Sequence, residues 1–285
     1  MSLTINTNSA SLNAQRTYSR NQQAVNQVLA QLSSGSSINS AADNPAGLAI
    51  SQGLTSQING DQQAINNAIS GASLAQTTAG ALSQLQSNTQ QIQQLAIQAG
   101  NGTLNDSNRQ ALQQQVDQLT QANSQIIQSS EFNGVSLLSG TSSLTFQVGA
   151  NGTSNNQITL NASGLDQAPA SGGLNSYNAN LSATKVIDIT TQANALNAQN
   201  ALTQDLNTLN TAQANTGATT NRFSAAVNNL QTSALNSAES RSRISDTDYA
   251  AASADLAQQQ IIGQANIATL GQANVSQSAA LTLLR

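Results

Sequence analysis

The stretch LSSGSSINSAADNPAGLAIS at residues 32–51 interrupts a chain whose sequence is otherwise mostly helical in pattern. Gly35 is suited to ending a helix, because glycine adopts the left-handed backbone conformation of a helix C-terminus without strain. Asn44 can cap the next helix, and Pro45 fits the first helical turn, where its missing N–H costs no hydrogen bond. We therefore predict a first break, residues 35–44, between a short N-terminal helix and a second helix.

Apolar residues on both sides of the first break recur at helical spacing. The upstream face consists of Val25, Val28, Leu29 and Leu32, with Leu12 and Tyr18 on a weaker pattern. The downstream stripe consists of Ile58, Ile65, Ala72, Ala79, Leu82, Leu85, Thr89, Ile92 and Ala96. This coiled-coil-like seam predicts a helix from Pro45 to Ala99, which would measure about 80 Å at about 1.5 Å per residue.

Beyond GNGT at 100–103, a third helix is predicted from about Asp106. Its apolar stripe consists of Leu112, Val116, Leu119 and Ile126. The helical period is lost between 132 and about 184, where SLTFQVG and NQITLNAS predict two short strands around a turn at Asn151-Gly152. Helix is predicted to resume near Lys185. One face there consists of Ile189, Ala193 and Leu196, and another of Leu202, Leu206 and Leu209.

A second break lies in RSRISDTDYA at 241–250. Ser245 and Asp248 fit the S-x-x-D form of a capping box, and Asp246 lies between them. The stripe that follows consists of Leu256, Gln260, Gly263, Ile267 and Leu270. The two breaks lie at similar distances from the two ends, so we expect the ends to pair in one antiparallel unit. The predicted fold is mainly α, an elongated antiparallel helical bundle or coiled coil with a small central β-hairpin region.

Composition argues against several classes of function. The chain has eight Lys and Arg residues and a net charge of −4, too few basic groups for nucleic acid or an anionic membrane surface. No apolar stretch reaches the length of a membrane span, so no membrane insertion is expected. The N-terminus lacks the pattern of a cleaved signal peptide. Since the chain has no His and no Cys, we predict no enzyme, cofactor or metal site.

The remaining candidate sites have simpler interpretations. The acidic pair of Asp246 and Asp248 could serve acid–base chemistry or calcium, but helix capping fits the local pattern better. A surface adhesin or glycan-binding protein would need an aromatic-lined groove, and the chain has only three Tyr and three Phe. The terminal helices are weakly apolar and marginal in isolation, so each needs the other end or neighbouring copies for stability.

Several segments resemble bacterial flagellin in the order that this family has them. The N-terminal ones are INTNSASLNAQR (5–16), QLSSGSSINSAADNPAGLAIS (31–51), SLAQTTAGALSQLQSNTQQIQQLAIQAGNGT (73–103) and EFNGVSLLSG (131–140). The C-terminal ones are NRFSAAVNNL (221–230), SRSRISDTDYA (240–250) and the ending LTLLR. Only about 150–185 lies outside the resemblance, so the central variable region is minimal.

The resemblance implies a structural subunit, exported by the flagellar type III apparatus and assembled outside the cell into the filament used for motility. It implies an inner coiled-coil domain of 1–34 and 247–285, a spoke of 35–44, and an outer rod of 45–246 with hairpin and loops at about 132–184. A hook–filament junction protein, which has similar termini, is the alternative within this structural class.

The resemblance also implies contacts. The chain would bind copies of itself, an export chaperone at its C-terminal region, the filament cap and hook-junction proteins. The expected polymerisation interface consists of Ile5, Leu12, Val25, Leu29, Leu32, Leu256, Ile267, Leu270 and Leu284. The expected joint consists of Gly35, Asn44, Pro45, Ser245, Asp246 and Asp248. Where relatives carry Arg and Glu for an innate receptor, this chain has Gln91, Gln93 and Gln94 beside a retained Leu95, so we expect weak receptor activation.

Overall fold

The computed structural model describes residues 7–141 and 143–282, with side chains described as far as residue 275. The predicted interface residues Ile5 and Leu284 lie outside the described residues. The helices are α1 (Ser9–Ser34), α2 (Pro45–Ala99), α3 (Asp106–Ser129), α4 (Gln192–Ser245) and α5 (Tyr249–Thr282). The strands are β1 (Glu131–Phe132), β2 (Val135–Ser136), β3 (Ser143–Gln147) and β4 (Gln157–Asn161). The predicted mainly α fold with a small hairpin region is confirmed.

The chain forms two compact units. One contains residues 1–58 and 235–285, and the other contains residues 59–234. Both boundaries lie inside long helices, α2 and α4. The division into inner domain, spoke and rod, with boundaries at 34/35, 44/45 and 246/247, stays a prediction.

Helix α2 buries one continuous stripe along its length. Ile65, Leu82, Leu85, Thr89, Ile92 and Ala96 are buried as predicted, whereas the predicted positions Ile58, Ala72 and Ala79 are half-buried. Before Leu82, several buried positions have small side chains, and one of them is Gly71. The Phe223 ring of α4 lies against this glycine, and a Cβ atom there would come within 2.5 Å of Phe223 Cζ. Small residues on α2 thus make room for an aromatic ring from α4.

Helix α3 differs from the sequence prediction in the face that it buries. Val116 is buried, but Leu112, Leu119 and Ile126 are only half-buried. Besides Val116 and Ile127, the buried positions are polar: Arg109, Gln113, Thr120, Asn123 and Ser124. These polar side chains have hydrogen-bond partners in other segments or on their own helix, which removes most of the penalty for burying them.

Two of these polar side chains fasten α3 to its surroundings. Arg109 donates from Nε to the Ala99 carbonyl at 2.9 Å and from Nη2 to the Asn101 carbonyl at 3.0 Å. Its positive charge therefore lies at the C-terminal end of α2, where the helix dipole favours a cation. Asn123 Oδ1 accepts a hydrogen bond from Asn88 Nδ2 on α2 at 2.9 Å, and its own Nδ2 donates to Thr89 Oγ1 on the same helix at 3.4 Å.

The central region contains two antiparallel hairpins. Strands β3 and β4 pair with Leu144 opposite Leu160 and Phe146 opposite Ile158, around the predicted turn at Asn151-Gly152. A smaller hairpin of β1 and β2 was not predicted. Its turn is Asn133-Gly134, in which both residues have positive φ (51° and 76°). Asn-Gly is a strong hairpin signal and could have identified this turn from the sequence.

The predicted helix start near Lys185 is wrong, because α4 begins at Gln192. Lys185 has φ of 55°, and the next residues form an irregular segment in which Ile187 and Ile189 are buried. Gln113 holds this segment: its Nε2 donates to the Ile187 carbonyl at 2.8 Å, and its Oε1 accepts from Ile189 N at 2.7 Å. These bonds satisfy the backbone in place of a helix.

The predicted first face of α4 is also wrong. Ala193 and Leu196 are exposed, whereas Ala195, Ala198 and Leu202 are buried against α2 and α3 in one apolar cluster. The second predicted face is confirmed at Leu202 and Leu209, and Leu206 is half-buried. Among the described helices, none has an apolar window long enough to cross a membrane.

Candidate functional site

The first break has the local structure that its sequence predicted. Gly35 ends α1 in the left-handed conformation with φ of 69°, and its N–H donates to the Gln31 carbonyl at 2.9 Å. Pro45 is the first residue of α2. Asn44 caps this helix, because its Oδ1 accepts a hydrogen bond from Gly47 N at 2.9 Å.

Asp43 organises the loop inside the first break. Its Oδ2 accepts hydrogen bonds from Ser40 N at 2.8 Å, Asn39 N at 3.1 Å and the Ser40 hydroxyl at 3.1 Å. The Ser40 backbone bond is the largest cause that holds the pKa of Asp43 below its ordinary value of 3.8. The carboxylate thus serves as a structural acceptor that closes the turn.

At the second break, the predicted capping box is wrong, because Ser245 does not cap the helix that follows it. Ser245 is the last residue of α4, and its hydroxyl donates back to the Arg241 carbonyl at 2.9 Å. Asp248 itself caps α5, since its Oδ1 accepts from Ala250 N at 3.0 Å and from Ala251 N at 3.2 Å. The acidic residue therefore lies before the helix and near its positive end, as the capping interpretation requires.

The two breaks contact each other through backbone hydrogen bonds. Ser36 and Asp246 form an isolated antiparallel bridge. Beside it, Ser37 N donates to the Ser245 carbonyl at 2.7 Å, and Thr247 N donates to the Gly35 carbonyl at 3.0 Å. The end of α1 and the start of α5 are therefore held together by bonds that do not depend on side-chain identity.

Beyond the breaks, α1 packs along α5, and we call these two helices the terminal pair. Buried and half-buried positions alternate at steps of three and four on each helix. On α1 they are Ser11, Ala14, Tyr18, Asn21, Val25, Val28 and Leu32. On α5 they are Ala252, Leu256, Gln259, Gly263, Asn266, Leu270 and Ala273. This is the seven-residue pattern of a two-helix coiled coil.

The seam of α5 differs from the predicted stripe at two positions. Gln260 and Ile267 are exposed, and their neighbours Gln259 and Asn266 face α1 instead. Asn21 on α1 explains part of this choice, because its Nδ2 donates to the Gln259 carbonyl at 2.9 Å and to Gln259 Oε1 at 2.8 Å. The Asn266 amide nitrogen is buried and has no hydrogen-bond partner among the described residues.

The terminal pair keeps large apolar side chains on its outer surface. Leu12 is 49% exposed, Leu29 46% and Ile267 56%, and Ile261 on α5 is 67% exposed. Of the other predicted interface residues, Val25, Leu32, Leu256 and Leu270 are half-buried in the seam. Since monomeric proteins rarely expose many large apolar groups in one region, this surface is a candidate for contact with another protein.

The segment that the resemblance assigns to innate-receptor contact lies on α2. Gln91 and Gln94 are exposed, and Gln93 donates to Thr203 Oγ1 of α4 at 3.2 Å. Leu95 packs against the apolar cluster that α2, α3 and α4 share. The exposed side of this segment therefore offers neutral amides and no charged group at these positions.

The described residues contain no group of three or more His, Asp or Glu side chains that could hold a metal ion. The buried carboxylate of Asp205 accepts from Asn175 N and Nδ2, both at 2.7 Å, and from Ser176 N at 2.9 Å. Burial is the largest cause that raises its pKa above 3.8. All of these bonds fasten a loop to α4, so the carboxylate has a structural role here.

Comparison with known proteins gives one family. Residues 5–143 match the bacterial flagellin N-terminal helical region, and residues 199–284 match the C-terminal helical region. The chain is 34% identical over 297 residues to a flagellar filament core protein of Brachyspira hyodysenteriae, with 99% of both chains covered.

Enterobacterial relatives match over a smaller share of their length. The chain is 41% identical over 180 residues to a flagellin of Escherichia coli O127:H6, which covers 63% of this chain and 32% of that protein. It is 39% identical over 180 residues to the phase 1 flagellin of Salmonella naestved, covering 63% of this chain and 35% of that protein. The alignments thus span about a third of these longer relatives.

Proposed function

This chain belongs to the bacterial flagellin family, and from that premise we propose that it is a structural subunit that self-assembles into the filament of the bacterial flagellum. The observation that carries this proposal is the end-to-end similarity to a filament core protein, over 99% of both chains. The minimal central region agrees with it, since both terminal helical regions of the family are present while the variable middle is short.

The terminal pair is the surface that we assign to polymerisation. Its seam is narrow and partly polar, while Leu12, Leu29 and Ile267 face outward. Contact with neighbouring copies would remove these side chains from water, at about 25 cal/mol per Å² of apolar area. Ile5 and Leu284 belong to the same proposed interface through the family resemblance. With only 7% charged residues, copies of the chain repel one another weakly at close approach.

The domain assignment and the partners form the finer part of the proposal. Residues 1–34 and 247–285 would form the inner domain, 35–44 the spoke and 45–246 the rod. The chain would leave the cell through the flagellar type III apparatus and reside in the extracellular filament. Its other partners would be an export chaperone at the C-terminal region, the filament cap and the hook-junction proteins. No catalytic role is proposed.

Electron microscopy of the purified chain under polymerising conditions tests the main proposal. Long hollow filaments are the expected result. Short rings or stacks of fixed length would instead favour a hook–filament junction protein. A chain that stays monomeric in the presence of preformed filament seeds would contradict both.

Weak activation of the innate flagellin receptor is a further part of the proposal. Gln91 and Gln94 are exposed but neutral, so the charge-assisted hydrogen bonds of an Arg or Glu are missing. In a receptor-reporter assay, the chain should be much less active than its Gln91→Arg and Gln94→Glu double variant. Strong activation by the unchanged chain would contradict this expectation.

A further inference from the structure

We propose that Asn21 and Gly263, which we call the register pair, fix the axial register in which α1 pairs with α5. The inference rests on the packing of the terminal pair and does not depend on the proposed function. The apolar pattern alone would allow several alignments of the two helices. According to the proposal, one polar side chain and one glycine select the alignment that is observed.

The fit between the two residues is close. Asn21 is only 6% exposed, and its Nδ2 holds both the carbonyl and Oε1 of Gln259. Its Oδ1 lies over Gly263, where a Cβ atom would come within 2.7 Å of it. The side chain of Asn21 therefore occupies space that exists only because residue 263 has no side chain.

The apolar residues of the seam do not select a register. On α1, Tyr18, Val25 and Leu32 recur every seven residues, and on α5, Leu256 and Leu270 lie two such repeats apart with Gly263 between them. A slip by one heptad, about 10 Å at about 1.5 Å per residue, would keep apolar side chains facing the partner helix. The apolar pattern therefore stabilises the pairing but leaves its alignment open.

The register pair distinguishes these alignments. A slip of seven residues in one direction replaces Gly263 by Leu270 (263 + 7), and in the other direction by Leu256 (263 − 7). Either leucine would fill the space that Asn21 occupies and would leave its amide without acceptors. A buried polar group without partners loses its hydrogen bonds to water with no compensation, so both slipped alignments are disfavoured. A single polar residue in a coiled-coil seam is known to specify register in this way.

The register pair lies far from the two breaks along the helices, so the two features fix the alignment at different places. The bridge between Ser36 and Asp246 fixes the alignment at one end of the terminal pair. Asn21 lies 15 residues from that bridge (36 − 21), about 22 Å along the helix at about 1.5 Å per residue. Over that distance the register pair is what keeps the outward apolar residues of the two helices in fixed positions relative to one another.

Disulfide trapping in the full chain tests the proposal cleanly, because the natural sequence contains no Cys. Asn8→Cys with Ala273→Cys reports the observed register, since Asn8 Nδ2 donates to the Ala273 carbonyl at 3.1 Å. Asn8→Cys with Asn266→Cys reports a slip of one heptad in one direction. Leu32→Cys with Leu256→Cys reports a slip in the other direction.

In the parent background we expect crosslinking of 8 with 273 and none of the slipped pairs. Asn21→Leu should reduce that crosslink and produce at least one slipped crosslink, because a leucine at position 21 can pack against Leu256 or Leu270. Gly263→Ala should reduce the 8–273 crosslink, because its methyl group overlaps Asn21 Oδ1. The matched controls are Asn13→Leu, an exposed Asn of α1, and Gly271→Ala, where a Cβ atom meets nothing within 4 Å. Both controls should crosslink as the parent does.

Three results would overturn the proposal. The first is an unchanged crosslinking pattern in both Asn21→Leu and Gly263→Ala. The second is a slipped crosslink in the parent chain itself. The third is the loss of every crosslink in the variants, because Asn21 would then hold the helices together without selecting their alignment.

Discussion

At the scale of single residues, the two long helices fit together because one glycine lies under one aromatic ring. Phe223 is fully buried between Gly71 and the β3–β4 hairpin, and its ring meets that of Phe146 edge to face at 5.4 Å. This arrangement connects α2, α4 and the hairpin in one cluster with Ala68, Val148 and Ile158. The chain has only three Phe, so this contact is a large share of its aromatic packing.

Gly71→Ala is expected to destabilise the chain, because the new methyl group overlaps the Phe223 ring. Overpacking costs about 1–3 kcal/mol, which exceeds the roughly 0.5–1 kcal/mol that alanine gains over glycine in a helix. Gly80→Ala is the matched control in the same helix, since nothing lies within 4 Å of its Cβ position. The control should raise the free energy of unfolding by about 1 kcal/mol. Urea titration measures both, and a Gly71→Ala chain as stable as the control would refute the contact.

At the scale of elements, polar side chains set the position of segments that apolar spacing alone does not place. Gln113 holds residues 187–189 against α3, and Asp205 holds residues 175 and 176 against α4. In both cases one side chain satisfies backbone groups of an irregular segment, which would otherwise be buried without partners. The parts of these loops that lie against α3 and α4 are therefore fixed by specific hydrogen bonds.

The Asp205 contact predicts a specific pH dependence. Burial raises the pKa of Asp205 in the folded chain above the ordinary 3.8, so folding favours the protonated form. The contribution of Asp205 to the free energy of unfolding is therefore fully present below pH 3.8, and it is lost as pH rises through the pKa of the folded chain. Asp205→Asn cannot titrate, so the unfolding free energy of the parent minus that of the variant should decrease with pH over this window.

Urea titrations of both chains at several pH values from about 3 to about 7 measure this difference. Asp188 contributes equally to both chains. Burial, the largest single influence, raises its pKa, but hydrogen bonds from Thr190 and Asn194 together outweigh burial and lower the pKa, so its contribution to stability has the opposite sign to that of Asp205. A difference that stays constant, or that grows with rising pH, would contradict the assigned direction.

The sequence predicted those elements whose ends are determined locally. The bounds of α2 follow from Asn44, Pro45 and the GNGT segment, all within a few residues of the ends that they set. The start of α4 could not be predicted in the same way, because it depends on Gln113, more than 70 residues earlier. The apolar period also misplaced Gln260, since Asn21, far away in the sequence, draws Gln259 into the seam instead.

At the scale of the whole molecule, the chain is held together with few charges. The ion pairs among the described residues are Arg109 with Asp106 and Arg243 with Glu239, and each joins neighbours within one helix. Contacts between elements consist of apolar packing and hydrogen bonds, and a few of these bonds use a charged side chain, such as Arg109 or Asp205. Such a surface depends little on salt, which suits close packing of many identical copies under varied ionic conditions.

The terminal pair should differ in stability between the free chain and the proposed filament. Few side chains between its two helices are fully buried, and most of the seam is only half-buried. We therefore expect the free energy of local opening to be low. In the free chain, amide hydrogens of 9–34 and 249–282 should exchange fast, and in filaments they should be protected. Amides of 61–99 and 195–234 are the internal reference and should be protected in both states. Equal protection of the terminal pair in both states would contradict coupled ordering.

Lys185 is the only lysine in the chain, and it is exposed at the start of the irregular segment that precedes α4. Its backbone N–H is fixed to Asp117 Oδ1 at 2.7 Å, while its ammonium group is free of any described ion pair. Amine-reactive dyes would therefore find a single reactive side chain per copy, in the unit that does not contain the terminal pair. A polymer of this chain could thus be stained, tethered or decorated through one regularly repeated side chain that lies outside the helices proposed to assemble it.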